Sequence, residues 1–368
     1  MLLSVAALTL ALLPNPAPAP QRPAVDKSPK VVLVLLDGIR WQELFRGVDP
    51  ELMNKENGGV ANVDALSKKY ARNSQAESRK AIMPWFWSTF SEKGMVYGNR
   101  DLGSVMRVSN PHHFSYPGYS EMIVGYHDAR INSNNPNPNP NPSVFEFLNN
   151  KKEFKGKVAI FGSWSVVKAM VTPERSKLPV NVAMEPMNFG KPSKVYDVLN
   201  KMKKNSFHLH PADPTDTLPF YTALEYLKLD KPRAMWLTFG ETDTHAHDGR
   251  YDWYLDAMYR TDAMLGELWN TIQSIPEYKN NTTLIISVDH GRGNAPRGWM
   301  SHGSSVPGAD ATWAAIIGPK TPNMGEVKGG SEVFTAQVAA TVAQSVGEDY
   351  KASDAKIASP LPGAIKTK

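Results

Sequence analysis

The chain contains no cysteine. Disulfides and a thioether-linked lipid anchor are therefore excluded, and any metal site has to be built from Asp, Glu and His. A membrane-length apolar run is also missing. The N-terminal stretch Met1 to Leu13 is apolar or small for thirteen residues, short of the roughly 20 that cross a bilayer. There is no arginine-rich stripe interleaved with aromatics, and the net charge of +5 is modest and dispersed. No nucleic-acid partner is expected, and a small anionic ligand is weakly favoured. Neither a G-x-S-x-G elbow nor a G-x-x-x-x-G-K-[ST] phosphate loop occurs, which removes the serine-triad and nucleoside triphosphatase readings.

What is present is ordinary globular material. The 368 residues are 41% hydrophobic and 21% charged, enough for one large domain or two average ones. After Leu13 comes a Pro-Ala alternation containing Ala17-Pro18-Ala19, a small-x-small pattern suited to signal cleavage. The expected organisation is a signal peptide at 1–19, a Pro-rich linker at 20–30, one domain at 31–349 and a trailing tail at 350–368. Such a chain would be exported, to the periplasm or outside the cell.

Several segments alternate between strand and helix patterns. Val31–Leu36 is a continuous apolar run that ends in Asp37-Gly38, as expected of a strand buried on both faces. Lys157–Phe161, Ala234–Phe239, Thr283–Val288 and Thr312–Ile317 read the same way. Between them lie helical patterns, clearest at 250–275, where Tyr254, Met258, Leu265, Leu268 and Ile272 share a face. This alternation predicts a three-layer α/β/α sandwich with a mostly parallel central sheet. Ligands in such sheets gather at the carboxyl ends of the strands.

The residues just beyond those ends carry metal-ligand chemistry. Asp37 follows the first strand; GETDTHAHDG, with Asp243 and His247, follows the strand at 234–239; Asp289 and His290 follow the strand at 283–288. Twelve residues after His290 comes His302. Taken singly, an Asp after a strand is most often a turn former, and a lone His most often a satisfied polar group. Three carboxylates and three imidazoles on one sheet edge point instead to two divalent ions, zinc or manganese before calcium. The stretch HHFSYPGYSEMIVGY, 112–126, supplies two candidate nucleophiles, Ser115 and Ser120. Ser120 suits the first turn of a helix, where its hydroxyl would bond backbone amides and Glu121 would meet the positive end of the dipole. Arg40 lies close enough to Asp37 in sequence to reach a substrate. The aromatic run MPWFWSTF reads as a core-packing helix, and KMKKNSFHLHPADPTD (201–216) as a surface insertion.

The ordered set VLVLLDGIRW, FSYPGYSEMIVGY, GETDTHAHDG and VDHGRG…SHG resembles the alkaline phosphatase superfamily. Its nucleotide pyrophosphatase/phosphodiesterase, sulfatase-like and phosphoglycerate-mutase-like branches are the most similar, and the resemblance spans roughly residues 30–320. It implies an alkaline-phosphatase-like catalytic domain and two metal sites. One would use Asp37, Asp289, His290 and the nucleophile oxygen; the other would use Asp243, His247 and His302. Zinc would be the expected metal, with manganese or magnesium as substitutes. The phosphodiesterase branch opens its nucleophile motif with a hydroxyl residue, an aromatic and Pro, which implies Ser115 here. A phosphate-binding Asn some twenty residues on implies Asn135 or Asn137, inside the turn-rich repeat NNPNPNPNP. Sulfatases of the superfamily carry [C/S]-x-P-x-R; here Tyr119 stands in place of the Arg. The implied function is hydrolysis of a phosphate ester through a covalent phospho-enzyme. The alternatives are a sulfatase-like hydrolase, a phosphoglycerate-mutase-like phosphotransferase, and a non-catalytic binding protein on the same fold.

Overall fold

The computed structural model describes residues 25–206 and 215–366. The expected signal peptide, the start of the linker and the middle of the 201–216 stretch lie outside these residues.

Among the described residues there are ten strands: β1 Lys30–Leu36, β2 Met95–Tyr97, β3 Met106–Arg107, β4 Val158–Gly162, β5 Val180–Val182, β6 Ala234–Phe239, β7 Thr282–Val288, β8 Ala314–Ile317, β9 Gly325–Glu326 and β10 Val333–Phe334. Eight of them form one sheet in the order β5-β4-β6-β1-β7-β8-β2-β9, and β3 pairs with β10 in a small second sheet. The run from β5 to β7 is parallel throughout, and β8 is antiparallel to both β7 and β2. The expected mostly parallel sheet is thus observed, and all five expected strands are in it. The short outer strands β2, β5 and β9 were not anticipated, because two or three residues at a sheet edge carry no periodicity.

The central strand is apolar on both faces because both are covered. Val32, Val34 and Leu36 pack with the helices Pro84–Lys93, Thr217–Asp230 and Tyr251–Ser274. Val31, Leu33 and Leu35 pack with Ser115–Val124, Val144–Asn149 and Gln337–Ser345. Helix, sheet and helix make the three expected layers. The MPWFWSTF segment is a core helix, with Phe86, Trp87 and Phe90 buried. The 250–275 pattern becomes the helix Tyr251–Ser274. Among the described residues no helix is long and apolar enough to cross a membrane.

Two expectations are corrected. The segment from Tyr350 to Lys366 is not a trailing extension: Tyr350, Ile357, Leu361 and Ala364 are buried in the second core. The Tyr97 hydroxyl also donates to the Pro362 carbonyl at 2.8 Å, and Lys366 N donates to Lys320 O. The many Lys and Pro residues hid this apolar spacing. Secondly, the helix after the histidines begins at Ser115 itself and ends at Gly125, which has φ +92°. This left-handed position suits glycine as a helix stop. Ser120 is therefore in the second turn, its hydroxyl accepting from Asn139 Nδ2 at 2.8 Å. Glu121 lies towards the carboxyl end, where it receives Ser109 N and Oγ.

Candidate metal centre

β1, β6 and β7 run parallel side by side, so the residues that leave their carboxyl ends emerge at one edge. Two ligand groups form there. Asp37, Asp289 and His290 each bring a donor atom within 4.8 Å of the others, and so do Asp243, His247 and His302.

The first group is buried. His290 Nε2 lies 3.2 Å from Asp37 Oδ1 and 3.3 Å from Asp289 Oδ2. The other ring nitrogen, Nδ1, is 2.9 Å from the Gly291 carbonyl. A proton on Nδ1 donating to that carbonyl leaves the Nε2 lone pair facing the carboxylates. Ser115 Oγ stands 3.3 Å from this Nε2 and 3.5 Å from Asp37 Oδ1. Asp37 Oδ2 accepts from the Tyr119 hydroxyl at 3.0 Å, one helical turn beyond Ser115. Asp289 Oδ1 takes the Gly38 N–H at 3.1 Å.

The glycine after Asp37 answers to two constraints. Its φ is +63°, and a Cβ there would sit 2.8 Å from Asp243 Oδ1 and 2.9 Å from Arg292 Nη1. No larger residue fits without moving the centre.

Asp243 and His247 come from consecutive turns of the helix Glu241–His247, and His302 from the loop after β7. The i,i+4 spacing puts the first two on one face. His247 Nε2 is 3.3 Å from Asp243 Oδ2 and 2.9 Å from His302 Nε2. Asp243 Oδ1 also faces the first group, 4.0 Å from His290 Nε2, and the His290 and His302 rings stack at 4.0 Å. The two groups therefore adjoin through Asp243. Arg292 binds Asp243 Oδ1 with Nη1, while its Nε and Nη2 donate to the Trp299 and Met300 carbonyls at 2.7 Å. One buried guanidinium thus ties the Asp243 helix to the loop that carries His302.

The donor set fits divalent cations. Asp289 Oδ2 is buried and, among the described residues, has no hydrogen-bond donor. A bare carboxylate oxygen is costly to bury unless a cation meets it. Burial, then the charge of Asp243, holds Asp37 well above the usual carboxylate range. Burial, then Asp37, does the same to Asp289. Burial would also raise Asp243, but Arg292 and His247 outweigh it and hold that carboxyl well below its ordinary value. Burial pushes His290 down to about 4 and, with the nearby His290, His302 down to about 2. The imidazoles of His290 and His302 are therefore neutral, with lone pairs to donate. Carboxylate and imidazole donors in this ratio suit zinc or manganese.

The other named residues fall as follows. Arg40, expected as a substrate contact, is only 1% exposed. Its Nε donates to Glu43 at 2.8 Å, its Nη2 to Glu43 and to Asp49 at 3.1 Å, and its Nη1 to the Gly293 carbonyl. Four of its five N–H groups are taken by these partners, so it is a buried ion pair. Asn135 is exposed, and Asn137 meets the helix Ser115–Val124 only through its main-chain carbonyl, which accepts from Tyr116 Oη at 2.6 Å. Two side chains of the repeat reach that helix: Asn139 bonds Ser120, and Asn134, whose Oδ1 accepts Tyr116 N at 2.9 Å, is the one that meets the turn carrying Ser115. His245 points away from the ligands and packs against Trp253 at 5.6 Å. Tyr119, Arg292 and Asn134 were missed as site residues. The one available signal was Arg292, two residues past His290 in VDHGRG.

Against solved structures the chain is similar to an alkaline phosphatase, PafA, with a TM-score of 0.58 and 10% identity over 92% of this chain and 99% of that one. It is also similar to the phosphonate monoester hydrolase of Silicibacter pomeroyi, with a TM-score of 0.57 and 12% identity over 90% of this chain and 76% of that one. A third is the 2-O GAG sulfatase BT1596, with a TM-score of 0.54 and 12% identity over 92% and 72%. No protein-family model and no curated protein matches the chain. The class that fold and site define is an α/β sandwich with two ligand groups at one sheet edge. Its fold is that of the alkaline phosphatase superfamily, the superfamily to which another similar structure, from Vibrio parahaemolyticus, is ascribed.

Proposed function

We propose that this protein is a two-metal hydrolase of phosphate esters with Ser115 as its nucleophile. The observation that carries the reading is the placement of the Ser115 hydroxyl, 3.3 Å from His290 Nε2 at the edge of the first ligand group, with the second group adjoining through Asp243. The similar structures, named as an alkaline phosphatase, phosphonate monoester hydrolases and a sulfatase, favour hydrolysis at a tetrahedral oxyanion centre.

Asp37, Asp289, His290 and Ser115 would hold one divalent cation, and Asp243, His247 and His302 the other. Such a pair supplies positive charge that lowers the proton affinity of a hydroxyl and offsets the charge that develops on the transferred group. The protein's own part is to aim. Ser115 leads the first turn of its helix, and Pro117, which has no N–H to satisfy, fits that turn. Asn134 fixes the first turn by accepting Tyr116 N, which leaves its amide nitrogen to grip a non-bridging oxygen, in place of Asn135 or Asn137. Ser115 Oγ forms a bond to phosphorus as the bond to the departing alcohol breaks, and the alcohol leaves with a proton. Water then attacks the phosphoserine, returning the serine hydroxyl and releasing phosphate or a phosphomonoester.

A phosphate rather than a sulfate ester is favoured because Ser115 begins Ser-Tyr-Pro-Gly-Tyr, with Tyr119 bound to Asp37 where the sulfatase motif has Arg. The small-x-small leader adds a reading of export. The test is a panel of aryl phosphate monoester, phosphate diester and sulfate ester, assayed on protein of measured metal content. Phosphate ester turnover with two ions per chain is expected. Sulfate turnover alone would replace the phosphate reading, and less than about one ion per chain would end the two-metal reading.

A further inference from the structure

Helix caps are usually local: an Asp at the residue before a helix accepts the free N–H groups of that helix's own first turn. Asp216 stands at this position for Thr217–Asp230, yet its side chain makes no cap to that helix. The helix Glu241–His247, which carries Asp243 and His247, starts after Gly240, a residue with no side chain to cap with. The two irregularities resolve each other. Asp216 Oδ1 accepts Gly240 N at 2.8 Å and its Oδ2 accepts Glu241 N at 3.2 Å. Glu241 Oε1 reaches back to take Asp216 N at 3.0 Å. This is a reciprocal capping box made between segments 25 residues apart in sequence. Ser163, the residue after β4, donates to the same Asp216 oxygen at 2.6 Å, which fixes the carboxylate against a second strand end. Asp216 is 1% exposed.

We infer that Asp216 is the positioning residue of the second ligand group, setting the register of Glu241–His247 so that Asp243 and His247 meet His302. The inference rests on the two-metal reading for its functional consequence, and on the capping geometry alone for its structural part. A seven-residue helix has too few internal hydrogen bonds to hold its own position. Its first turn carries Asp243, so a shift at Gly240 moves a ligand directly. Asp216 touches neither group of ligands; it acts through the backbone of Gly240 and Glu241.

The experiment pairs Asp216→Ala with the milder Asp216→Asn and Ser163→Ala, which keep part of the network should the alanine variant fail to fold. Cobalt(II) is titrated into metal-stripped full-length protein and followed by its visible absorption. Amide exchange over 240–248 is measured on the same metal-free samples. Asp216→Ala should bind one cobalt ion as wild type does and the second about 10- to 100-fold more weakly, the range for losing a group that orients a ligand. Asp216→Asn should recover most of that loss, since its amide oxygen still accepts one N–H, and exchange should rise selectively over 240–248. Equal weakening of both ions, or unchanged exchange in that segment, would overturn the inference. Wild-type protein that takes up no cobalt would remove the two-metal reading, and the exchange data would then decide the clamp by themselves.

Discussion

His247 and His302 face each other nitrogen to nitrogen, Nε2 to Nε2 at 2.9 Å, with an Asp243 oxygen 3.3 Å from the former. Two lone pairs cannot be held that close without a proton or a cation between them. Burial holds the imidazole of His302 neutral, and a neutral imidazole presents either an Nε2–H or a lone pair at that position; under the two-metal reading a cation takes the place of that proton. Elemental analysis should find two divalent ions per chain. His302→Ala should keep one, because the Asp37, Asp289 and His290 group does not include it. Two ions retained in His302→Ala would show that the second group is not a metal site.

Ser115→Ala should lower kcat/KM by about 10³-fold or more while leaving the circular dichroism spectrum and the metal content close to wild type. Acid quenching during turnover should leave the phosphoryl group on the peptide that contains Ser115. Ser120→Ala breaks the bond to Asn139 and should cost about 1 kcal/mol of stability with activity largely kept. The reverse pattern, activity lost only with Ser120, would move the nucleophile.

Arg292 holds Asp243 and two loop carbonyls with one guanidinium. Arg292→Lys keeps the charge but not the planar fork, so the loop to His302 should loosen. Metal affinity at the second group should fall about 10- to 100-fold by competition with a chelator of known strength. Unchanged affinity would mean that Asp243 is oriented by its histidine neighbours alone.

Arg40 makes the opposite case. Its pair with Glu43 is fully buried, so Arg40→Ala strands a carboxylate and should cost about 3–5 kcal/mol in denaturant unfolding. KM of the folded fraction should not change. A raised KM with unaltered stability would restore Arg40 as a substrate contact.

Asp262 gives a pH signature away from the centre. Its two oxygens accept Trp85 N and Phe86 N at 2.7 and 2.8 Å, and burial raises its carboxyl to about 7. An unfolded Asp ionises near 4. Between about pH 4 and 7 the folded state therefore keeps a proton that the unfolded state has lost, and stability falls as pH rises through that window. Asp262→Asn should flatten the difference, by an amount of order 1–3 kcal/mol between the two ends. A parallel pH dependence in the variant would show that Asp262 is ionised in the fold.

The sheet and the six metal-ligand candidates were legible because a buried parallel strand must be apolar along its whole length, so the polar residue that ends it stands out. Asp37, after Val31–Leu36, and Asp289, after Thr282–Val288, are of this kind. What supports them was not legible. Tyr119 and Arg292 reach ligands across 82 and 49 residues of chain, Asp216 reaches the backbone that starts the Asp243 helix across 24 or 25, and each is of a type that occurs anywhere on a surface. Arg40 failed for a related reason: proximity in sequence to Asp37 says nothing about which side of the strand end its guanidinium leaves on. In the Pro-Asn repeat, several asparagines share one local pattern, and tertiary contacts alone separate Asn134, which meets Tyr116 next to Ser115, from Asn139, which meets Ser120 a turn further on.

The helix Ser115–Val124 lies against β7's end closely enough that a Cβ on Gly118 would sit 2.4 Å from the Asp289 carbonyl oxygen. Backbone therefore meets backbone between the element that offers Ser115 and the one that offers Asp289 and His290. The separation of these two elements is set by main chain, which does not yield as a rotamer does. A pocket of fixed gauge sorts ions by radius. Under the two-metal reading, zinc and magnesium, bound at about 2.0–2.2 Å, should therefore be preferred over calcium at about 2.3–2.6 Å, and competition of calcium against zinc checks this.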